Sequence, residues 1–138
     1  MAYISETKLT VRYAETDMMG IVHHSRYYPW FEIARGDFIK KIGLSYGEME
    51  KMGILLPLTE TQCKYYGVLT YDDNVVIKCR IEKLSVARIS FLYEVYREDD
   101  NVKVSEGRTV HGFVDVNLRP INMKKQFSEL WDKIAELA

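Results

Sequence analysis

At 138 residues, with 47% hydrophobic and 28% charged side chains, the chain can bury a sizeable core without disulfide or metal staples. Its 19 basic and 20 acidic residues give a net charge of −1, so it lacks the basic surplus of phosphate-backbone binders and nucleic acid is not an expected partner. No apolar run reaches the roughly 20 residues of a membrane span, and residues 1–10 lack the basic start and apolar centre of a signal peptide. The expectation is one cytoplasmic domain over residues 1–138.

Leu9, Val11 and Tyr13 alternate with Thr10 and Arg12, which predicts a strand over 9–13. Ala14 to Val22 breaks the alternation and reads as a loop. Tyr27, Phe31, Ala34, Phe38 and Ile42, widened by Trp30, then recur at spacings of three and four and predict a long helix. Pro29 fits only its first turn, so the helix is expected to begin near Ser25 as N-cap and to stop at Gly43. A shorter helix is expected over 46–52.

The second half reads as strands over 56–66, 75–83, 88–97 and 102–116, rich in β-branched and aromatic residues. Turns are expected at Tyr71-Asp72-Asp73-Asn74 and Glu98-Asp99-Asp100-Asn101. Phe127, Leu130, Trp131 and Ile134 predict a C-terminal helix. Cys63 and Cys79 fall inside strand patterns and fit buried free thiols. The order of strand, long helix and four strands in a meander specifies an α+β fold, with one curved antiparallel sheet wrapped around the helix.

Chemistry concentrates in Asp17-Met18-Met19-Gly20-Ile21-Val22-His23-His24-Ser25-Arg26-Tyr27. A loop carboxylate and a helix start meet there. By residue type alone Asp17 fits a turn cap as well as a reactive carboxylate, and Gly20 a plain turn. His23 and His24 are adjacent, so their side chains are expected to diverge, and no metal is expected. Glu32 and Arg35 are helix-spaced and expected to pair.

The run from Arg12 to Tyr27, followed by Trp30-Phe31-Glu32 and Ala34-Arg35, closely resembles the hotdog-fold acyl-CoA thioesterases. The resemblance is to the 4-hydroxybenzoyl-CoA thioesterase type and its short-chain acyl-CoA relatives associated with the Tol-Pal system. It continues through Lys64-Tyr65, the Tyr71-Asp72-Asp73 turn and Arg119-Pro120, covering about residues 8–121. It implies a hotdog fold, homodimers with continuous sheets that pair into tetramers, and active sites at the dimer interface. It makes Asp17 the catalytic carboxylate and the backbone N–H of His24 the donor that polarises the thioester carbonyl. Gly20, Val22, His23, Ser25 and Tyr27 would line the substrate, although Tyr27, like Trp30, is better suited to the helix–sheet core. Arg88, with Lys124 or Lys125, would meet the coenzyme A phosphates. The substrate would be a small acyl-CoA, and no separate cofactor is implied. His23 departs from the aromatic residue that relatives often carry before the histidine.

The implied chemistry is physically coherent. A thioester carbonyl gains negative charge under attack, and preorganised N–H donors at a helix N-terminus stabilise it. Asp17 would act as nucleophile, giving a mixed anhydride, or as general base on water. Two other readings stay open: a hotdog dehydratase or hydratase using an Asp17–His24 pair, and a non-catalytic acyl-thioester binding module.

Overall fold

The alternation of Ile77, Cys79 and Ile81 on one strand and of Ile89, Phe91, Tyr93 and Val95 on the next aims one apolar face at the long helix, and all seven side chains are buried. In the computed structural model, which describes residues 2–138, five strands form one antiparallel sheet. They are β1 (Ser5–Thr10), β2 (Leu58–Tyr65), β3 (Asn74–Leu84), β4 (Arg88–Arg97) and β5 (Val102–Gly112). Helix α1 (Tyr27–Lys40) packs on the apolar face, and α2 (Tyr46–Lys51), α3 (Met123–Gln126) and α4 (Ser128–Leu137) complete the chain. The expected α+β fold, with a sheet packed against one long helix, is observed.

The helix buries Tyr27, Trp30, Phe31, Ala34, Phe38 and Ile39. Phe31 stacks on Tyr93 with ring centroids 4.4 Å apart, and Phe38 meets Phe91 edge-on at 5.6 Å. Each such side chain stabilises the fold by about 2–3 kcal/mol relative to exposure. The Phe31 ring lies where a side chain on Gly107 would project; a Cβ there would sit 2.4 Å from ring carbons. Glycine on β5 therefore sets how closely helix and sheet approach.

The strand order is β1-β3-β4-β5-β2, which corrects the expected meander. β1 takes the edge of β3, with Ser5 opposite Cys79 and Leu9 opposite Val75. β2 instead pairs with β5, Thr61 opposite Thr109 and Tyr65 opposite Ser105. The chain after β2 crosses the sheet end. Tyr66 and Gly67 donate to Val104 O, Arg97 Nη1 donates to Val68 O, and Val22 donates to Leu69 O. β2 is exposed along nearly its whole length, so no buried-face periodicity marks it and no local pattern records which strand lies beside it.

Several element ends also move. β1 spans Ser5–Thr10 rather than 9–13 because Glu15 Oε1 accepts the Arg12 N–H at 2.8 Å and turns the chain. Tyr13 consequently begins a 3-10 turn and is 76% exposed. β5 ends at Gly112, short of residue 116, because Val114 bridges Leu55 and Pro120 instead of β4. α1 ends at Lys40, before Ile42. Cys79 is buried and Cys63 half-buried, and both are free thiols. Among the described residues no helix is long and apolar enough to cross a membrane.

Candidate active site

Asp17 and His24 emerge from one short hairpin. Thr16 and Val22 form an antiparallel bridge, Asp17 N–H donates to Ile21 O at 2.9 Å, and Gly20 N–H donates to Asp17 O at 2.9 Å. Gly20 has φ +80°, a left-handed turn conformation that glycine adopts without steric cost. Asp17 Oδ1 accepts the Met19 N–H at 2.8 Å, and Oδ2 has no protein partner among the described residues. One carboxylate oxygen is thus tethered and the other available.

The hairpin is held from below. Glu15 is buried, only 4% of the residue being exposed. Its Oε2 accepts the Trp30 indole N–H at 2.8 Å, and its backbone oxygen accepts the His23 N–H at 2.9 Å. Val22 is buried and hydrogen-bonded to Leu69, so it anchors the loop. Tyr65 on β2 donates its hydroxyl to His24 O at 2.9 Å, and burial followed by the Cys63 thiol raises the Tyr65 pKa.

The helix start corrects two expectations. His24–Arg26 form a 3-10 turn that runs into α1, and its N-cap is His23, not Ser25. His23 Nδ1 lies 3.3 Å from the Ser25 N–H it accepts, whereas the Ser25 hydroxyl points back at the same Nδ1 at 2.8 Å. Nor do the histidines diverge: their rings face each other with centroids 4.1 Å apart and planes 35° apart. The His24 N–H, at the first position of the turn, has no protein acceptor among the described residues.

The remaining expected contacts separate. Tyr27 is 2% exposed, packed on Trp30 and Tyr65, with its pKa pushed up to about 12 by burial. It belongs to the core. The Asp17 hairpin adjoins Thr70 and the start of β3, whereas Arg88 lies at the far end of that strand pair, where Leu84 faces Ile89. Strand geometry puts that end roughly 30 Å away within one chain. Arg88 lines a cleft of about 550 Å³ with Lys83, Ser85 and Arg108. Met123 donates to Val86 O, which brings α3 and the exposed Lys124 and Lys125 to the same end.

A cleft of about 260 Å³ lies between α1 and β2, lined by Tyr28, Pro29, Glu32, Arg35, Leu58 and Thr109. Tyr28 and Glu32 stand four apart on α1 and so share the helix face that lines this cleft. Glu32 and Arg35 do not pair. Arg35 donates instead to the hydroxyls of Tyr46 and Tyr93, each at 3.1 Å. Tyr93 contacts Thr109 at 2.7 Å, Thr109 contacts His111 Nε2 at 2.9 Å, and His111 Nδ1 lies 3.1 Å from Leu56 O. The carbonyl requires a proton on Nδ1, so Nε2 accepts from Thr109, Thr109 accepts from Tyr93, and Tyr93 accepts from Arg35. Burial, then the Arg35 charge, pushes the His111 pKa down to about 4, so its ring is neutral.

Sequence reasoning noted Glu15 as a carboxylate near the site and Tyr65 as part of the resemblance, but missed their anchoring roles and the Arg35 chain. Glu15 and Trp30 stand 15 residues apart and no local pattern couples them.

Comparison with known proteins places the fold in a family. Residues 11–136 match the model of the thioesterase-like superfamily. The Bacillus subtilis protein YneP is 33% identical over 99% of this chain and 98% of its own length. The Staphylococcus aureus DHNA-CoA thioesterase structure is similar at 34% identity, covering 97% of this chain and 90% of that one with a TM-score of 0.91. The Thermus thermophilus protein TT1821 gives 32% identity, 99% and 98% coverage and a TM-score of 0.89. The family model covers residues 11–136 and relatives above 30% identity span nearly the whole chain: the chain belongs to the thioesterase-like superfamily.

Proposed function

We propose that the protein hydrolyses an acyl-CoA thioester to the free acid and coenzyme A. The observation that carries this reading is the His24 N–H left without an acceptor at the entry to α1, on the same hairpin as an Asp17 carboxylate with one unengaged oxygen. The thioester carbonyl accepts that N–H, and the helix dipole favours the charge that develops on it. One such donor is worth about 3 kcal/mol in the transition state. Asp17 attacks the carbonyl carbon, expelling the thiolate and leaving a mixed anhydride for water to open, or it takes a proton from the attacking water. Coenzyme A thiolate leaves readily, so no strong acid is required at sulfur.

The acyl group occupies the α1–β2 cleft. An alkyl chain would leave the Glu32 carboxylate facing a desolvated wall without a partner, so an acyl group with polar substituents suits it better. The DHNA-CoA activity in the name of the Staphylococcus aureus relative supports an aromatic acyl group. Within the superfamily the Arg12–Tyr27 run favours the 4-hydroxybenzoyl-CoA thioesterase type, including its short-chain Tol-Pal-associated members, over types with a helix-borne carboxylate.

The working unit in this reading is a homodimer, with two dimers pairing as a tetramer. β2 hydrogen-bonds to β5 on one side only, and its other edge is open. An open eight-residue edge is a template for pairing. Joining two β2 edges makes one continuous sheet and closes the cleft that borders β2. Arg88, too distant within its own chain, then meets coenzyme A phosphates only from a partner subunit.

The test is thiol release from a panel of hydroxyaryl, short-chain and long-chain acyl-CoAs, comparing the natural protein with Asp17→Asn. Loss of about a hundredfold or more in kcat with an unchanged melting temperature is expected. An Asp17→Asn protein of full activity overturns the assignment, and hydration of an enoyl-CoA without thiol release moves the protein to the hydratase class.

A further inference from the structure

Four successive backbone N–H groups at the entry to α1 have separate fates. His23 donates to Glu15 O at 2.9 Å and Arg26 to His23 O at 2.9 Å. Ser25 donates to His23 Nδ1 at 3.3 Å. Only the His24 N–H is uncommitted among the described residues. A ring nitrogen that accepts an N–H carries no proton itself, so His23 is the Nε2–H tautomer and the Ser25 hydroxyl, 2.8 Å away, donates to Nδ1 as well.

We propose that His23 is a positioning residue for thioester hydrolysis. Its imidazole caps the turn, withdraws the Ser25 N–H from competition and leaves the His24 N–H as the donor presented to the carbonyl. This rests on the reading of His24 as that donor. The tilted contact of the His24 ring with the His23 ring, centroids 4.1 Å apart, restrains the plane of the capping imidazole. The Glu15–His23 bond fixes its backbone, and Glu15 is itself tied to Trp30. His23 is thereby held from the helix on one side and the hairpin on the other.

The chemistry explains why an imidazole serves here. Helix starts most often use Asn, Asp or Ser. An aspartate at position 23 would place a full negative charge one residue from the N–H where the thioester oxygen becomes negative. The two like charges would raise the barrier. A neutral imidazole offers the same lone pair without the charge.

The experiment measures kcat and KM for thiol release in His23→Phe, His23→Asn and His23→Asp. Phenylalanine keeps an aromatic ring and removes the acceptor, and kcat should fall about ten- to a hundredfold with KM changed little. Asparagine restores the acceptor and should recover kcat to within a few-fold. Aspartate restores the cap but adds charge, and kcat should stay low. Unchanged kcat in His23→Phe, or equal loss in His23→Asn and His23→Phe, overturns the proposal. Ring nitrogen shifts in the unsubstituted protein give an answer that needs no variant to fold: an unprotonated Nδ1 is expected, and a protonated one overturns the cap. A non-hydrolysable acyl-CoA ketone analogue separates the two layers. If it leaves the His24 amide proton unmoved, the donor reading falls and this proposal with it. If it shifts that proton while His23→Phe keeps its kcat, the cap alone falls.

Discussion

The Trp30 indole donates to Glu15 Oε2 at 2.8 Å inside the core, and this bond joins the first turn of α1 to the hairpin that carries Asp17. Hydrogen bonds to charged groups are worth about 1.5–3 kcal/mol, and a stranded partner costs a similar amount. Glu15→Ala removes the acceptor for Trp30 and for the Arg12 N–H together. The expected outcome is a loss of about 2–4 kcal/mol, seen as a melting temperature lower by roughly 10 °C, with activity reduced further than stability. Calorimetry and thiol release on the same samples check it; a variant that melts normally refutes the anchoring role.

Gly107 is where helix and sheet come closest. A methyl at that position overlaps the Phe31 ring, which is pinned against Tyr93. Gly107→Ala should cost about 1–3 kcal/mol by overpacking, visible as a lower urea midpoint at constant slope. A midpoint equal to that of the natural protein would mean that the ring moves freely.

His111 makes stability depend on pH. Its folded pKa is lowered to about 4, against 6.5 for a free imidazole. Between these values the unfolded chain binds a proton that the folded chain does not. Stability therefore falls as pH drops from about 6.5 to about 4, by about 3 kcal/mol at the limit, and this contribution levels off below that window. Unfolding curves for the natural protein and His111→Gln across pH 4–7 isolate the effect from the carboxylates. The variant should lose the steeper slope; parallel curves would show that His111 does not contribute.

Tyr65 reaches across from β2 to His24 O. Tyr65→Phe deletes one partly exposed hydrogen bond and should cost no more than about 1 kcal/mol of stability. Because that bond holds the residue bearing the free N–H, kcat should fall several-fold more than the stability change accounts for. A kcat equal to that of the natural protein would remove Tyr65 from the machinery.

Glu32 is free of Arg35 and lines the α1–β2 cleft, proposed above to hold the acyl group. Glu32→Ala should shift the acyl-CoA panel toward alkyl substrates, with kcat/KM for hydroxyaryl substrates reduced about tenfold, a difference of about 1.4 kcal/mol. An unchanged ranking would separate Glu32 from specificity.

Much of this was legible in the chain. The stripe of Tyr27, Trp30, Phe31, Ala34 and Phe38 marked α1, and the alternation around Cys79 and Phe91 marked the buried sheet face, because one segment's periodicity is set by which side meets the core. The turns at Asp72 and Asn101, both at positive φ, were visible from their residue types. The run from Arg12 to Tyr27 pointed to the thioesterase-like superfamily before any contact was known.

Only the tertiary structure decided the rest. Whether β2 lies beside β3 or β5 depends on where β1 docks, and no local pattern records that. Ser25 looked like the cap, but the capping bond went to His23 because the backbone of Glu15, anchored by Trp30, sets the angle at which the chain enters the helix. Arg35 left Glu32 for two tyrosines that only folding brings near. Each outcome is a competition among partners distant in sequence, and it is settled by burial, which makes an unpaired polar group costly.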